Sequence, residues 1–142
     1  MKYRTYHSLL SSLSPLFGLL SCPPHGGNDP GKIGIDDSLE KDLNLIIARK
    51  VQKILEQQDV EVVMTRESDK GLYEEQTSNK KVQDMKNRCA LINETQPDCV
   101  VSIHQNSYHE EYVHGAQVFY YGTSEEGKRL AETLQERLIS YV

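Results

Sequence analysis

From Asp37 onward, apolar positions recur at two different periods, and the alternation between them predicts the order of elements. Leu43, Ile46, Ile47, Ile54 and Leu55 follow the 3.6-residue period, which predicts a helix from an N-cap at Asp37 to near Gln58. Val60 to Thr65 (VEVVMT) is short, β-branched and bounded by polar residues, as a strand would be. After a polar connection from Glu67 to Ser78, the positions Val82, Met85, Cys89 and Ile92 mark one face of a second helix, predicted over 79–95 and closed by Pro97. Cys99 to His104 (CVVSIH) is almost continuously apolar, the pattern of a strand covered on both faces. A polar loop from Gln105 to Gly115 leads to a third strand, Ala116 to Tyr121 (AQVFYY). A last helix is predicted from Thr123, whose spacing to Glu126 suits a capping box, with Leu130, Leu134, Leu138 and Ile139 turned inward. Strands alternating with helices define an α/β fold: a mostly parallel sheet with helices on both faces, in a single domain.

Before Asp37 the pattern changes. Lys2 and Arg4 precede a Leu-rich run from Leu9 to Leu20, and Leu19-Leu20-Ser21-Cys22 resembles a lipoprotein cleavage box. Three serines, a proline and a glycine interrupt the run, so residues 1–24 are read either as a signal-like leader or as a degraded first strand. Cys22 to Asp37 is loop chemistry, with Pro23-Pro24, Gly26-Gly27, Asn28-Asp29-Pro30-Gly31 and Gly34.

Length and composition narrow the class. The 142 residues suffice for one core, and a net charge of −5 argues against nucleic acid as a partner. No stretch reaches the roughly 18 consecutive apolar residues of a membrane span. Three cysteines without a CxxC pair exclude a disulfide framework and a cysteine-rich zinc knuckle; Cys89 and Cys99 read as small buried hydrophobes.

Candidate chemistry rests on three residues. His104 closes a strand, where active groups of open α/β sheets gather. His25 precedes Gly26-Gly27, where missing side chains allow close approach of a ligand or metal. Glu40 has an alternative explanation, because with Asp37 as N-cap it occupies the capping-box position. Together, two imidazoles and one carboxylate make a catalytic zinc set with a fourth position for water. His109-Glu110-Glu111-Tyr112-Val113-His114 imitates HExxH but is one residue too long, and histidines at i and i+5 diverge by about 140° around a helix. It reads as solvated charge. The Gly26–Gly31 run lacks a following Gly-Lys-Ser/Thr and is no phosphate cradle. The Asn93-Glu94-Thr95 sequon lies inside the second predicted helix and carries no weight.

Five ordered motifs make the chain recognisable. His25-Gly26-Gly27-Asn28-Asp29-Pro30-Gly31, Leu39 to Leu45, Val62-Val63-Met64-Thr65-Arg66, Val101 to Ser107 and Gly115 to Tyr120 resemble the zinc-dependent N-acetylmuramoyl-L-alanine amidases of type 3, bacterial peptidoglycan hydrolases. The resemblance covers residues 25–142 as an amidase domain behind the 1–24 leader. It implies Zn2+ on His25, Glu40 and His104, substrate contact at Asn106, and a structural or cleft-lining role for Arg88. It further implies cleavage of the amide between the muramic lactyl group and L-alanine, a peptidoglycan substrate, a monomer, and an extracytoplasmic location.

Two departures qualify this. Pro23-Pro24 stand where the family has a strand leading into His-Gly-Gly, so the first strand is expected to be missing, shortened or displaced, with Leu16 to Leu20 as a substitute. The family's general-base glutamate lies on a later strand, and no glutamate before Val142 matches it. The domain is therefore expected to be incomplete at its C-terminus, and these residues to be weakly active or inactive. The alternatives are a non-catalytic zinc-containing wall-binding or degenerate domain, and a structural domain in which Glu40 merely caps a helix.

Overall fold

The computed structural model describes residues 17–108 and 112–140. The chain divides into two compact units, Met1–Asn106 and Ser107–Val142. The first unit holds a three-stranded parallel sheet of order β2-β1-β3, built from β1 (Gly18–Cys22), β2 (Glu61–Met64) and β3 (Cys99–Ser102). Between the strands run α1 (Glu40–Glu56) and α2 (Lys80–Thr95). This is the α/β fold with a parallel sheet that the hydrophobic pattern predicts.

The first strand is present, and it is central. β1 pairs with β2 through Leu19↔Val62 and with β3 through Leu20↔Val100, and Leu20 is 0% exposed. Pro23 and Pro24 do not abolish it, because the last ladder position is Cys22 and a proline beyond that point has no donor to lose. Residues 1–16 of the leader lie outside the described residues.

Side chains alternate across the sheet. On one face Val62 and Met64 pack with Ala48 of α1, joined by Leu19, Leu45, Leu55, Val60 and Ile103. The neighbouring positions Cys22 and Thr65 point the other way and meet Arg88 of α2. The two helices thus cover opposite faces.

The helix faces differ from those predicted. In α1 the buried row is Glu40, Lys41, Asn44 and Ala48, while Leu43, Ile46, Ile47 and Ile54 are exposed. The four-residue spacing of Glu40, Asn44 and Ala48 sets them on one stripe, so the turn that delivers Glu40 also turns Ala48 onto the sheet. In α2 the buried residue is Arg88; Val82, Met85 and Cys89 are exposed, which removes Cys89 from the core. β3 is an edge strand of the described sheet, and Val100 is exposed rather than covered.

Capping also differs. α1 begins at Glu40, and Asp37 sits in a left-handed conformation (φ 63°) with Asp36 Oδ1 accepting from the Ser38 N–H. Glu40 is therefore the first helical residue, not the reciprocal partner of an Asp37 cap. Asn79 caps α2 by accepting from the Val82 N–H, and Gln96 ends it in the left-handed region.

In the second unit α3 (Glu125–Ser140) is capped by Ser124, whose Oγ accepts from the Gly127 N–H, rather than by Thr123. The third predicted strand, Ala116 to Tyr121, is irregular. Gln135 of α3 takes its backbone groups instead, accepting from Val118 N–H and donating to the Ala116 carbonyl. Leu130, Leu134, Leu138 and Ile139 are exposed, with Ala131 as the buried member of the helix. Of the overlong HExxH-like segment, His109 to Glu111 lie outside the described residues.

One polar atom inside the sheet is unsatisfied. Ser21 Oγ is buried without a hydrogen-bond partner. Ser21→Ala removes that desolvated hydroxyl and is expected to raise the unfolding free energy by about 1 kcal/mol. Leu20→Ala, one residue away, is expected to cost about 2–5 kcal/mol. Urea unfolding of both variants checks the pair; destabilisation by Ser21→Ala would show that the hydroxyl is bonded after all.

Candidate metal centre

His25, Glu40 and His104 converge, with one donor atom from each lying within 4.8 Å of the others. They come from three segments. His25 leaves the loop after β1, Glu40 opens α1, and His104 follows β3 by two residues.

Glu40 is 4% exposed and makes contacts through both oxygens. Oε2 accepts from the Lys32 N–H at 2.8 Å and lies 3.4 Å from His25 Nε2. Oε1 accepts from the Gln105 N–H at 3.0 Å and from Asn44 at 3.3 Å, and lies 3.2 Å from His104 Nδ1. Burial works to raise the Glu40 pKa, but the N–H groups of Lys32 and Gln105, then Asn44 and the His25 charge, outweigh it and leave the carboxyl below its ordinary value. The expected capping role is thereby corrected. The side chain makes no cap to its own helix and instead faces both imidazoles.

The His25 ring is oriented from behind. Its Nδ1 meets Asp29 Oδ2 at 2.9 Å, and because a carboxylate only accepts, Nδ1 is the donor there, which leaves Nε2 as the ring nitrogen facing Glu40. Asp29 also accepts from the Gly31 N–H. The two histidine rings stand edge to face, 5.8 Å apart. A Cβ at Gly31 (φ +70°) would lie 2.7 Å from Glu40 Oε2 and 2.8 Å from His25 Cδ2. Only glycine lets the chain pass there.

The donor set fits a divalent metal. Two imidazole nitrogens and one carboxylate are a zinc-type ligand set, and the two rings approach different oxygens of Glu40, His25 Nε2 at 3.4 Å from Oε2 and His104 Nδ1 at 3.2 Å from Oε1. A cavity of about 250 Å³ lies on the Asp29 side of His25, lined by Asn28, Asp29, Tyr73 and the α2 residues Lys80, Lys81 and Asp84 among others, and not by Glu40 or His104. Asn106 is exposed, two residues past His104.

A second layer fixes the loop that carries His25. Lys41 is buried, and its Nζ donates to the Gly27 carbonyl at 2.9 Å and to Asp69 at 2.7 Å. Asp69 in turn accepts from the Gly27 N–H. Arg66 and Arg88, 5% and 3% exposed, donate to the carbonyls of Pro23, Pro24 and His25. Neither Asp29 nor the Arg66, Lys41 and Asp69 cluster was singled out from the sequence as part of a site. The available signal was the density of charges placed just after strand ends.

A His/Glu/His cluster around a buried carboxylate, at the C-terminal edge of a parallel α/β sheet, defines the class. The chain belongs to the N-acetylmuramoyl-L-alanine amidase family (Amidase_3), whose model matches residues 22–142. It is 40% identical over 119 residues to the germination-specific N-acetylmuramoyl-L-alanine amidase of Bacillus subtilis (strain 168), covering 82% of this chain and 50% of that protein. It is 33% identical over 96 residues to a putative N-acetylmuramoyl-L-alanine amidase of Buchnera aphidicola, covering 67% of this chain and 36% of that protein. Among solved structures it resembles the CwlD amidase of Clostridioides difficile in complex with the GerS lipoprotein, with TM-score 0.81 and 35% identity over 85% of this chain and 64% of that one. An N-acetylmuramoyl-L-alanine amidase of Clostridium difficile 630 aligns with TM-score 0.73 and 32% identity, over 90% of this chain and 65% of that one. The chain spans about half the length, or less, of these curated relatives.

Two outcomes are expected from the geometry. Asp29→Ala frees the His25 ring and should weaken binding of a divalent transition metal about 10–100-fold, read by chelator competition; unchanged affinity would deny Asp29 an orienting role. The pH dependence follows from the lowered carboxyls. The Lys41 hydrogen bond, helped by the Gly27 N–H and the charges of Lys41 and Arg66, holds Asp69 low against slight burial, and Asp29 and Glu40 are held low as well. A lowered folded-state pKa stabilises fully above the unfolded value near ~4, and the contribution is lost as pH falls through the folded value. Metal-free protein should therefore lose stability progressively below about pH 4–5, and Asp69→Asn should flatten part of that slope in urea titrations at pH 3 to 6.

Proposed function

We propose that the chain hydrolyses the amide between the lactyl group of N-acetylmuramic acid and L-alanine in peptidoglycan, with Zn2+ held by His25, Glu40 and His104. The observation that supports this reading is the convergence of two imidazoles and a buried carboxylate, one donor atom from each within 4.8 Å of the others. Zinc held by these three residues would supply Lewis-acid chemistry there, toward the scissile carbonyl and a coordinated water. The protein's own contributions are distinct from that chemistry. Glu40 brings a buried carboxylate, held below its ordinary pKa by the Lys32 and Gln105 N–H groups, and Asp29 engages His25 Nδ1 so that Nε2 faces the centre. Asn106 is proposed as a substrate contact at the exit from His104.

The family membership supports a cell-wall substrate and an extracytoplasmic site of action. No helix among the described residues is long and apolar enough to cross a membrane.

Among the described residues, the carboxylates touching the two histidines are Glu40 and Asp29, and both are engaged in holding the centre. Purified peptidoglycan incubated with the chain and zinc should show the appearance of new L-alanine amino termini by dinitrophenylation. His104→Ala or a chelator should abolish it. Wall binding with no new termini would overturn hydrolysis in favour of a binding module, and new reducing sugars would indicate the wrong bond.

A further inference from the structure

His25 holds a backbone conformation that the loop alone does not favour. Its φ of 61° lies in the left-handed region, where a residue bearing a Cβ is strained. It follows two prolines, which have no N–H with which to fold the turn onto itself. The carbonyls of this segment point instead at guanidinium groups. Arg88 Nη2 donates to the His25 carbonyl at 3.1 Å, and Nη1 to Pro23 at 3.0 Å and to Thr65 Oγ1 at 2.7 Å. Its Nε is held from the opposite side by Asp84 Oδ2 at 2.6 Å. Arg66 covers the adjoining stretch, donating to Pro23 at 3.0 Å and Pro24 at 3.2 Å.

We propose that Arg88 is a positioning residue for the metal centre: by gripping the carbonyl of His25 it holds that ligand's backbone in the left-handed conformation and so sets metal affinity. Three features favour this over general packing. Arg88 is the buried residue of a helix whose predicted apolar face is exposed, so α2 meets this loop through a hydrogen-bonding group. Its planar fork spans His25, Pro23, Thr65 and Asp84 at once, and a lysine ammonium cannot reach both ends. Asp84, 2.6 Å from Nε, pairs the buried guanidinium and offsets the cost of burying its charge while fixing the direction in which the fork points.

The inference rests on zinc being held at His25, Glu40 and His104, and the experiment separates the two. Zinc affinity of the full chain is measured by chelator competition for wild type, Arg88→Lys, Thr65→Val and Val62→Ala, alongside the melting temperature of each metal-free protein. Wild type without stoichiometric zinc would sink the centre itself. With wild type loaded, Arg88→Lys is expected to bind zinc about 10–100-fold more weakly, as loss of a ligand-orienting partner does. Thr65→Val, which removes one acceptor of the fork, should weaken it less. Val62→Ala lowers the melting temperature through the core cluster without touching the loop and should leave affinity unchanged. Wild-type affinity in both Arg88→Lys and Thr65→Val, or an equal loss in Val62→Ala, would show that Arg88 contributes stability alone. Should Arg88→Lys not fold, Thr65→Val against Val62→Ala decides by the same comparison.

Discussion

A carboxylate buried at the first turn of a helix must find donors, because desolvation of an unpaired charge costs far more than a single hydrogen bond returns. Glu40 finds them in three places at once: the backbone of Lys32 before it, the backbone of Gln105 after β3, and Asn44 one turn along its own helix. The α1 N-terminus adds a favourable field. Satisfying this one charge pins the 25–32 loop and the chain leaving β3 to the start of α1. Those are the segments that bring His25 and His104 to it. The metal-type centre and the local fold are therefore the same constraint seen from two sides.

That constraint explains why α1 faces the sheet as it does. Asn44 and Ala48 follow Glu40 at four-residue steps, so a helix rotated to bury Ile46, Ile47 and Ile54 would carry the carboxylate away from the imidazoles. Apolar area alone would have favoured the isoleucines, at about 25 cal/mol per Å² buried. The paired charge and the close approach allowed by Ala48 prevail.

How much of this was legible follows the same division. The parallel α/β class, β2, β3, α2 and the three candidate ligands were visible, because period, strand-end position and ligand chemistry are local properties. The orientation of α1 was not, since the rule that places large apolar residues inward has no term for a buried carboxylate. Asp37 looked like the cap because the position suits one, yet its left-handed φ places it in the turn before Leu39. β1 was obscured by the serines and prolines around it, although neither proline occupies a ladder position. Ala116 to Tyr121 has strand composition, but a strand needs a partner, and Gln135 of α3 meets its backbone groups first. Asp29 sat inside what read as turn chemistry; its second role depends on a histidine four residues earlier folding back onto it.

The strand order explains why two histidines so far apart in sequence can share one carboxylate. β1 connects through α1 to β2 on one side, and β2 connects through α2 back across β1 to β3 on the other. With right-handed crossovers this reversal sends the helices to opposite faces and opens a crevice at the carboxyl ends of β1 and β3, the switch point where open α/β sheets place their ligands. The register pairs Cys22 with Ser102, so the chains carrying His25 and His104 leave the sheet side by side. Neighbouring strands lie about 4.8 Å apart, close to the 5.8 Å between the two imidazoles. Strand spacing thus supplies most of the histidine separation. What the sheet cannot supply is the inward turn of His25 straight after Cys22, and that is where the buried arginines act.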